Sequence, residues 1–294
     1  MGETPATRRL LLCYVKTPIT AGRYLEDALK ASGVEVDVYT KEIDFANVDL
    51  SLYSAVVFPE TTELVQVKNI HLVQVPKYFW LLHGTNRLTR SLKICDDYQI
   101  DFLLMAQSME LAAQFPIPAI FFPFAVDPRF FNCSKRLAMR EYAVSFIGTH
   151  GWSYESRDSD LAAITARFGE KHQLSLYSSH LTGPRMADIY NESKMVYNQS
   201  PPHFAHFNMR LLEGIGCGAM VLSNYNANQD LVFEADQHYI VFKDQEDMLD
   251  KAAYYLEHLD QAQRIADQGR EHLMAHHTYR HRVDQLLAHI DSIR

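Results

Sequence analysis

Short, wholly apolar runs alternating with amphipathic stretches restrict the fold of this chain more than any other feature. "RRLLLCYV" reads as a buried strand, "AGRYLEDALKASG" as a helix closed by Gly33, "VEVDVYT" as an alternating strand and "YSAVVFPE" as another buried strand. "PKYFWLLHG" and "DFLLMAQS" continue the series around "TRSLKICDDYQ", and "PAIFFPFAVDP" closes it. Strands separated by helices imply parallel pairing. The charged stretch "PRFFNCSKRLAMREY" then loses strand periodicity and reads as a connection. Afterwards the pattern restarts: "YAVSFIG", "SRDSDLAAITARFG", "QLSLYSS", "GPRMADIYNES", "KMVYNQS", "AMVLSN" and "HYIVFK", then two helical patterns running to "LMAHH". The expectation is α/β, with two Rossmann-like domains facing across a cleft. Their expected bounds are 1–135 and 136–280, and the helix end at 281–294 packs back toward the first.

A chain of 294 residues, 47% hydrophobic and 22% charged, is long enough for two such cores and is neither disordered nor a coiled coil by composition. The formal net charge of −8 weighs against a nucleic-acid partner, since no localised basic patch offsets it. Cys13, Cys95, Cys133 and Cys217 lack CxxC spacing, which fits reduced thiols better than a disulfide framework or a zinc site. The apolar run after Arg8 and Arg9 is too short for a secretion signal, and no segment approaches the roughly 18 apolar residues of a membrane span. Together these readings point to a cytoplasmic protein.

"NMRLLEGIGCGAMVLSN", residues 208 to 224, carries the most chemistry. Asn208 suits a helix N-cap, and the helix start offers free N–H groups and a positive dipole end, a natural phosphate site. Glu213 can accept bonds from two vicinal hydroxyls such as those of ribose. Arg210 can meet a phosphate or pair with Glu213, and from spacing alone an i,i+3 ion pair is the more economical account. "SFIGTHGWSYESR" offers Gly148, where backbone can approach a ligand, and Arg157 as a fixed positive charge; the bland account is a Gly-rich loop with a solvated Arg.

Other motifs carry less. Asp158 and Asp160 form a DxD pattern, but at a helix start, where two carboxylates favour the dipole without any metal. His277 and His281 stand at i,i+4 without the acid of HExxH, so a capping or interdomain role for Thr278, Tyr279 and Arg282 is preferred to zinc. His83 ends the strand in "WLLHGTN", where a side chain can bind a substrate hydroxyl or accept its proton, and Gly22 pivots a second candidate acceptor loop, "KTPITAGRY".

Taken together, "VSFIGTHGWSYESR", "NMRLLEGIGCGAMVLSN", the helical pattern from Asp244 to Arg282 and "FFPFAVDPRFF" resemble the CgeB-like, group 1 type glycosyltransferases of the GT-B fold. The resemblance is specific over residues 141 to 285 and looser before them. It implies a second half that binds a nucleoside diphosphate-sugar, with a UDP-sugar favoured, and a first half that binds a hydroxyl acceptor on a glycan, protein or small molecule. It places diphosphate contacts at His206, Phe207, Asn208 and Met209, a ribose-binding acid at Glu213, further phosphate contacts at Gly148 and Arg157, and the nucleobase near Tyr177 and Ser178. His83, Arg210 and Glu213 become the candidate catalytic groups, with His83 and Gly22 on the acceptor side. Retention of configuration and catalysis without metal or other cofactor are also implied, because Arg side chains and helix dipoles meet the leaving charge. Related retaining enzymes commonly have an acid eight positions before the Glu213 equivalent, where this chain has Ala205. That departure keeps open a non-catalytic sugar-nucleotide or glycan-binding protein, and the fold also leaves open a glycosyltransferase acting on modified DNA.

Overall fold

A computed structural model describes residues 8–17, 20–133, 135–149, 151, 154–177, 181, 183–200 and 207–293. The chain forms two compact units. One comprises the chain up to Pro123 together with the segment from Tyr279 onward; the other is Phe124–Thr278.

The first unit contains β1 (Arg9–Cys13), α1 (Ala21–Ala31), β2 (Glu35–Tyr39), β3 (Glu42–Asp44), β4 (Ala55–Pro59), β5 (Gln66–Lys68), β6 (Lys77–Leu81), α2 (Leu88–Asp97), β7 (Phe102–Met105) and β8 (Ala119–Phe121). Six strands pair in parallel in the order β2-β1-β4-β6-β7-β8, and β3 and β5 make a separate parallel pair. Strands β4 and β6 are buried at every position, as expected of parallel strands covered on both faces, whereas edge strand β2 alternates apolar and acidic residues. The β3–β5 pair escaped sequence reading because three-residue strands give no period.

The second unit contains β9 (Tyr142–Ile147), α3 (Glu155–Phe168), β10 (Leu174–Tyr177), α4 (Pro184–Asn191), β11 (Ser193–Asn198), α5 (Met209–Gly216), β12 (Met220–Asn224), β13 (Ile240–Phe242), α6 (Gln245–Glu257) and α7 (Leu259–His276). Its five strands are parallel in the order β10-β9-β11-β12-β13. Val144, Phe146, Met195, Tyr197, Met220 and Leu222 supply the centre of its core. In both sheets the first strand has neighbours reached in opposite directions. Such a reversal of strand order leaves a crevice at the carboxyl ends of the strands, the usual ligand position in open α/β sheets.

The charged segment before β9 departs from the expected domain bounds, whereas the last helix falls on the side expected for 281–294. The charged segment after Pro128 belongs within the second unit: Phe131 and Leu137 are buried, Leu137 N donates to Gln263 Oε1 at 2.8 Å, and the Arg140 guanidinium bonds Lys135, Tyr190 and Ser193 carbonyls. Its charges mislead because Arg140 caps chain ends internally instead of meeting water. The last helix, α8 (Tyr279–Ser292), belongs to the first unit: Arg282 Nε donates to Pro123 O at 2.9 Å, Gln285 Nε2 to Phe121 O at 2.7 Å, and Tyr279 packs on Tyr24 with ring centroids 5.3 Å apart.

Candidate functional site

The strand reversal of the second unit lies between β9 and β11. Strand β9 ends on Ile147 and is followed by Gly148 and Thr149; β11 ends on Asn198 and is followed by Gln199 and Ser200. Helix α5 starts beside both. Its N-cap is Asn208, as its side chain dictates: Oδ1 accepts from Arg210 N at 3.0 Å while Nδ2 donates to Ser200 Oγ at 2.8 Å. Arg210 extends from the first turn across the strand ends, donating from Nε to Ile147 O at 2.8 Å and from Nη1 to Asn198 Oδ1 at 2.9 Å.

Arg157, on α3, converges on the same place. It is buried, and donates to Thr149 O at 2.8 Å and Gln199 O at 2.6 Å. The two guanidinium groups share the Phe146 ring, 4.7 Å from its centroid for Arg210 and 5.3 Å for Arg157, and Arg157 also lies 4.1 Å from the Tyr154 ring centroid. Among the described residues neither arginine pairs with a carboxylate. Asp160, the nearby acid of the DxD pattern, is taken by Tyr197 Oη at 2.6 Å and Gln245 Nε2 at 3.0 Å, and Asp158 accepts from Gly151 N at 2.9 Å. Burial first, and the neighbouring Arg210 charge second, lower the Arg157 guanidinium to about 10. Two like charges in a low-dielectric setting, bonded only to neutral oxygens, attract an anion strongly. The solvated-Arg account of Arg157 therefore fails.

A network of neutral side chains, closed through Arg210 itself, braces that arginine. Asn198 donates to Ser223 Oγ at 3.0 Å, and Gln229 donates to the same oxygen at 3.4 Å. Gln229 Oε1 accepts from Asn226 N at 3.0 Å, and Asn226 reaches Asn224 O at 3.2 Å. Asn224 exchanges bonds with the Ser200 backbone at 2.8 and 3.0 Å, and Ser200 returns the ring to Asn208. Such satisfied networks hold a side chain in one rotamer before any ligand arrives. Sequence reasoning missed Asn198, Gln199, Ser200 and Asn224; the signal for the first three is the polar triplet that ends the apolar run "KMVYNQS", and Asn224 is the polar end of "AMVLSN".

Glu213, one turn beyond Arg210, is buried and forms no ion pair with it; no hydrogen bond to its carboxylate occurs among the described residues. Burial pushes its carboxyl up to about 7, against a smaller opposing pull from Arg210. The simple i,i+3 pair suggested by spacing is thus absent, because Arg210 is spent on the strand ends.

Gly148 cannot be replaced here without movement. A Cβ on it would lie 2.5 Å from Arg210 Nη2 and 2.8 Å from Phe146 Cζ. We expect Gly148→Ala to lose about 1–3 kcal/mol of stability through this overpacking, measured by urea denaturation at equilibrium.

The remaining residues named from sequence fall as follows. Tyr177 is exposed at the end of β10, and its carbonyl accepts from Gly148 N at 3.2 Å. Phe207 is buried edge-on to Phe124 at 5.9 Å, so its side chain is core packing and only its backbone can serve a ligand. Met209 opens α5. Ser178, His206 and Ala205 lie outside the described residues.

In the first unit His83 follows β6, and Gly22 opens α1, where a Cβ would meet Pro59 Cβ at 2.9 Å and the Tyr14 ring at 3.0 Å. Close approach of helix to strands explains Gly22. No metal-binding group of three or more His, Cys, Asp or Glu side chains occurs among the described residues, and His277 packs instead against Phe233 and His272.

A family model described as glycosyl transferase-like matches residues 129–288, more than half of the chain. The chain belongs to that family. No curated protein matches this glycosyltransferase in sequence. Its fold is GT-B, as in the solved structures similar to it. Sucrose-phosphate synthase from Thermosynechococcus elongatus superposes with a TM-score of 0.69 at 10% identity, over 97% of this chain and 99% of that one. HepE from Anabaena, solved with UDP and glucose, gives 0.64 at 10% identity over 97% and 100%. An alpha-glucosyltransferase solved with UDP and a 13-mer DNA gives 0.65 at 9% identity over 97% and 100%. Within this glycosyltransferase the matched segment includes Arg157, Arg210, Glu213 and the polar ring.

Proposed function

We propose that this glycosyltransferase moves a hexose from a UDP-sugar held by the second unit to a hydroxyl acceptor held by the first, with retention of configuration and without a metal. One observation carries the donor assignment: a buried Arg157 guanidinium and a half-buried Arg210 guanidinium over one aromatic ring, paired with no carboxylate among the described residues, at the strand reversal beside a helix start. Such a place suits a diphosphate, whose charge increases as the sugar departs. Glu213, a turn further on, is the acid for the ribose diol. Tyr177 and Ser178 flank the base, Gly148 with the backbone at 206–209 lines the phosphates, and Gly22 and His83 belong to the acceptor side. The neighbours solved with UDP support the choice of nucleotide. Cys13, Cys95, Cys133 and Cys217 are free thiols, as suits a reducing, cytoplasmic setting.

Calorimetry with UDP tests the donor site directly, and liberation of UDP from a panel of UDP-sugars tests turnover. Turnover is expected to persist undiminished in excess EDTA, and proton NMR of the product is expected to show the donor's anomeric configuration. Loss of turnover on chelation would remove the metal-free assignment, and an inverted product would remove retention.

A further inference from the structure

Glu60 is a buried carboxylate to which neither motif nor spacing drew attention. It follows β4, and the whole charge is spent on the loop that follows β6. Oε2 accepts from Leu82 N at 2.7 Å and from His83 N at 3.0 Å, and Oε1 accepts from Arg87 Nη1 at 3.3 Å. The same loop is fixed from the other side by Gln107 Nε2, which donates to Leu82 O at 2.6 Å. The Glu60 side chain has no exposure, whereas His83 is one-third exposed. Burial raises the Glu60 carboxyl, but His83, the Leu82 N–H and Arg87 outweigh it and hold the group below its ordinary value, so it is ionised at neutral pH.

His83 Nδ1 is buried and stands 3.0 Å from Glu60 Oε2, with the ring not yet aligned for a hydrogen bond to it. At that separation two lone pairs repel, since an ionised carboxylate has only acceptors to offer. The proton of neutral His83 therefore belongs on Nδ1, leaving Nε2, which forms no hydrogen bond among the described residues, as an open acceptor. We propose that Glu60 is a positioning residue that fixes the His83 proton on Nδ1 and thereby presents Nε2 to the acceptor hydroxyl. The role rests on the glycosyl transfer assigned above. The acceptor oxygen bonds the anomeric carbon as the bond from that carbon to the diphosphate oxygen breaks, and its electron pair leaves with the diphosphate. The hydroxyl proton passes to Nε2, and the resulting imidazolium, charged next to Glu60, is stabilised by it.

The test is nitrogen NMR on full-length chain labelled with ¹⁵N-histidine, with the His83 signals identified by their loss in His83→Gln. At pH 8 the expected result is an Nδ1–H tautomer, with Nε2 at the unprotonated shift. Glu60→Gln, which keeps an acceptor oxygen, is expected to retain that tautomer, and Glu60→Ala to lose it. An Nε2–H form, or the mixture of free histidine, in the unsubstituted protein overturns the proposal even if Glu60→Ala does not fold. Retention of the tautomer in a folded Glu60→Ala overturns it as well. UDP calorimetry on the same samples separates the two readings, because failure of UDP to bind removes the donor assignment and leaves the tautomer result standing.

Discussion

Glu213→Gln is expected to stabilise the nucleotide-free protein at pH 8 while weakening its hold on UDP. Burial raises the Glu213 carboxyl to about 7 in the folded chain, against an ordinary value of 4.5. Between those two values the folded state keeps a proton that the unfolded state has released. Stability therefore falls as pH rises through that window, and the full cost, about 3 kcal/mol, is present above pH 7. Glutamine is neutral throughout, so the variant escapes the fall. Urea denaturation at pH 5 and pH 8 measures it: the protein with Glu213 is expected to lose stability between the two conditions relative to the variant, and parallel behaviour of both proteins would refute the assignment. For the ligand the sign reverses. In the proposed donor site an ionised carboxylate would take both ribose hydroxyls as donors and an amide oxygen would take them weakly, so the expected loss in UDP affinity is about 10- to 100-fold. Affinity of the unsubstituted protein is expected to rise with pH through 7, with proton release on binding, read by calorimetry in buffers of different ionisation enthalpy.

Arg157→Met is expected to reduce UDP affinity by roughly 100- to 1000-fold, with uridine affinity unchanged. Arg157 lies among Thr149 O, Gln199 O and the Phe146 and Tyr154 rings, so methionine fills much of its volume and removes only the charge and its bonds. Arg210→Met is expected to show the same discrimination. The double variant is expected to lose less than the sum, because removing one charge relieves the repulsion that the other feels and both act on one diphosphate. Equal losses for UDP and uridine would mean that the site had collapsed instead of losing its anion contacts.

Apart from the β3–β5 pair, the strands and helices of both units were legible because buried parallel strands are short apolar runs and most helices here carry capping or breaking residues, such as Asn208 before α5 and Gly33 after α1. The candidate site was half legible. Asn208, Arg210 and Glu213 stand close in sequence, but the partners that decide what Arg210 does are remote, Ile147 lying 63 positions earlier. Spacing alone therefore favoured an ion pair with Glu213 that the fold does not form. Glu60 and His83 are 23 positions apart and follow adjacent strands, a pairing that only sheet order creates. The charged stretch around Arg140 reads as a linker for the same reason: its carbonyl partners at Tyr190 and Ser193 come from a later part of the chain.

The return of α8 to the first unit has a consequence for the order in which the chain becomes structured during synthesis. The second unit is continuous, Phe124–Thr278, and can close once its own residues have emerged. The first unit begins earlier but lacks the helix that covers Tyr24 and caps the carbonyls at Phe121 and Pro123 until α8 has left the ribosome. The half that is made first is thus the half that is finished last, and a chain cut after Thr278 keeps a complete second unit beside a first one with α1 uncovered.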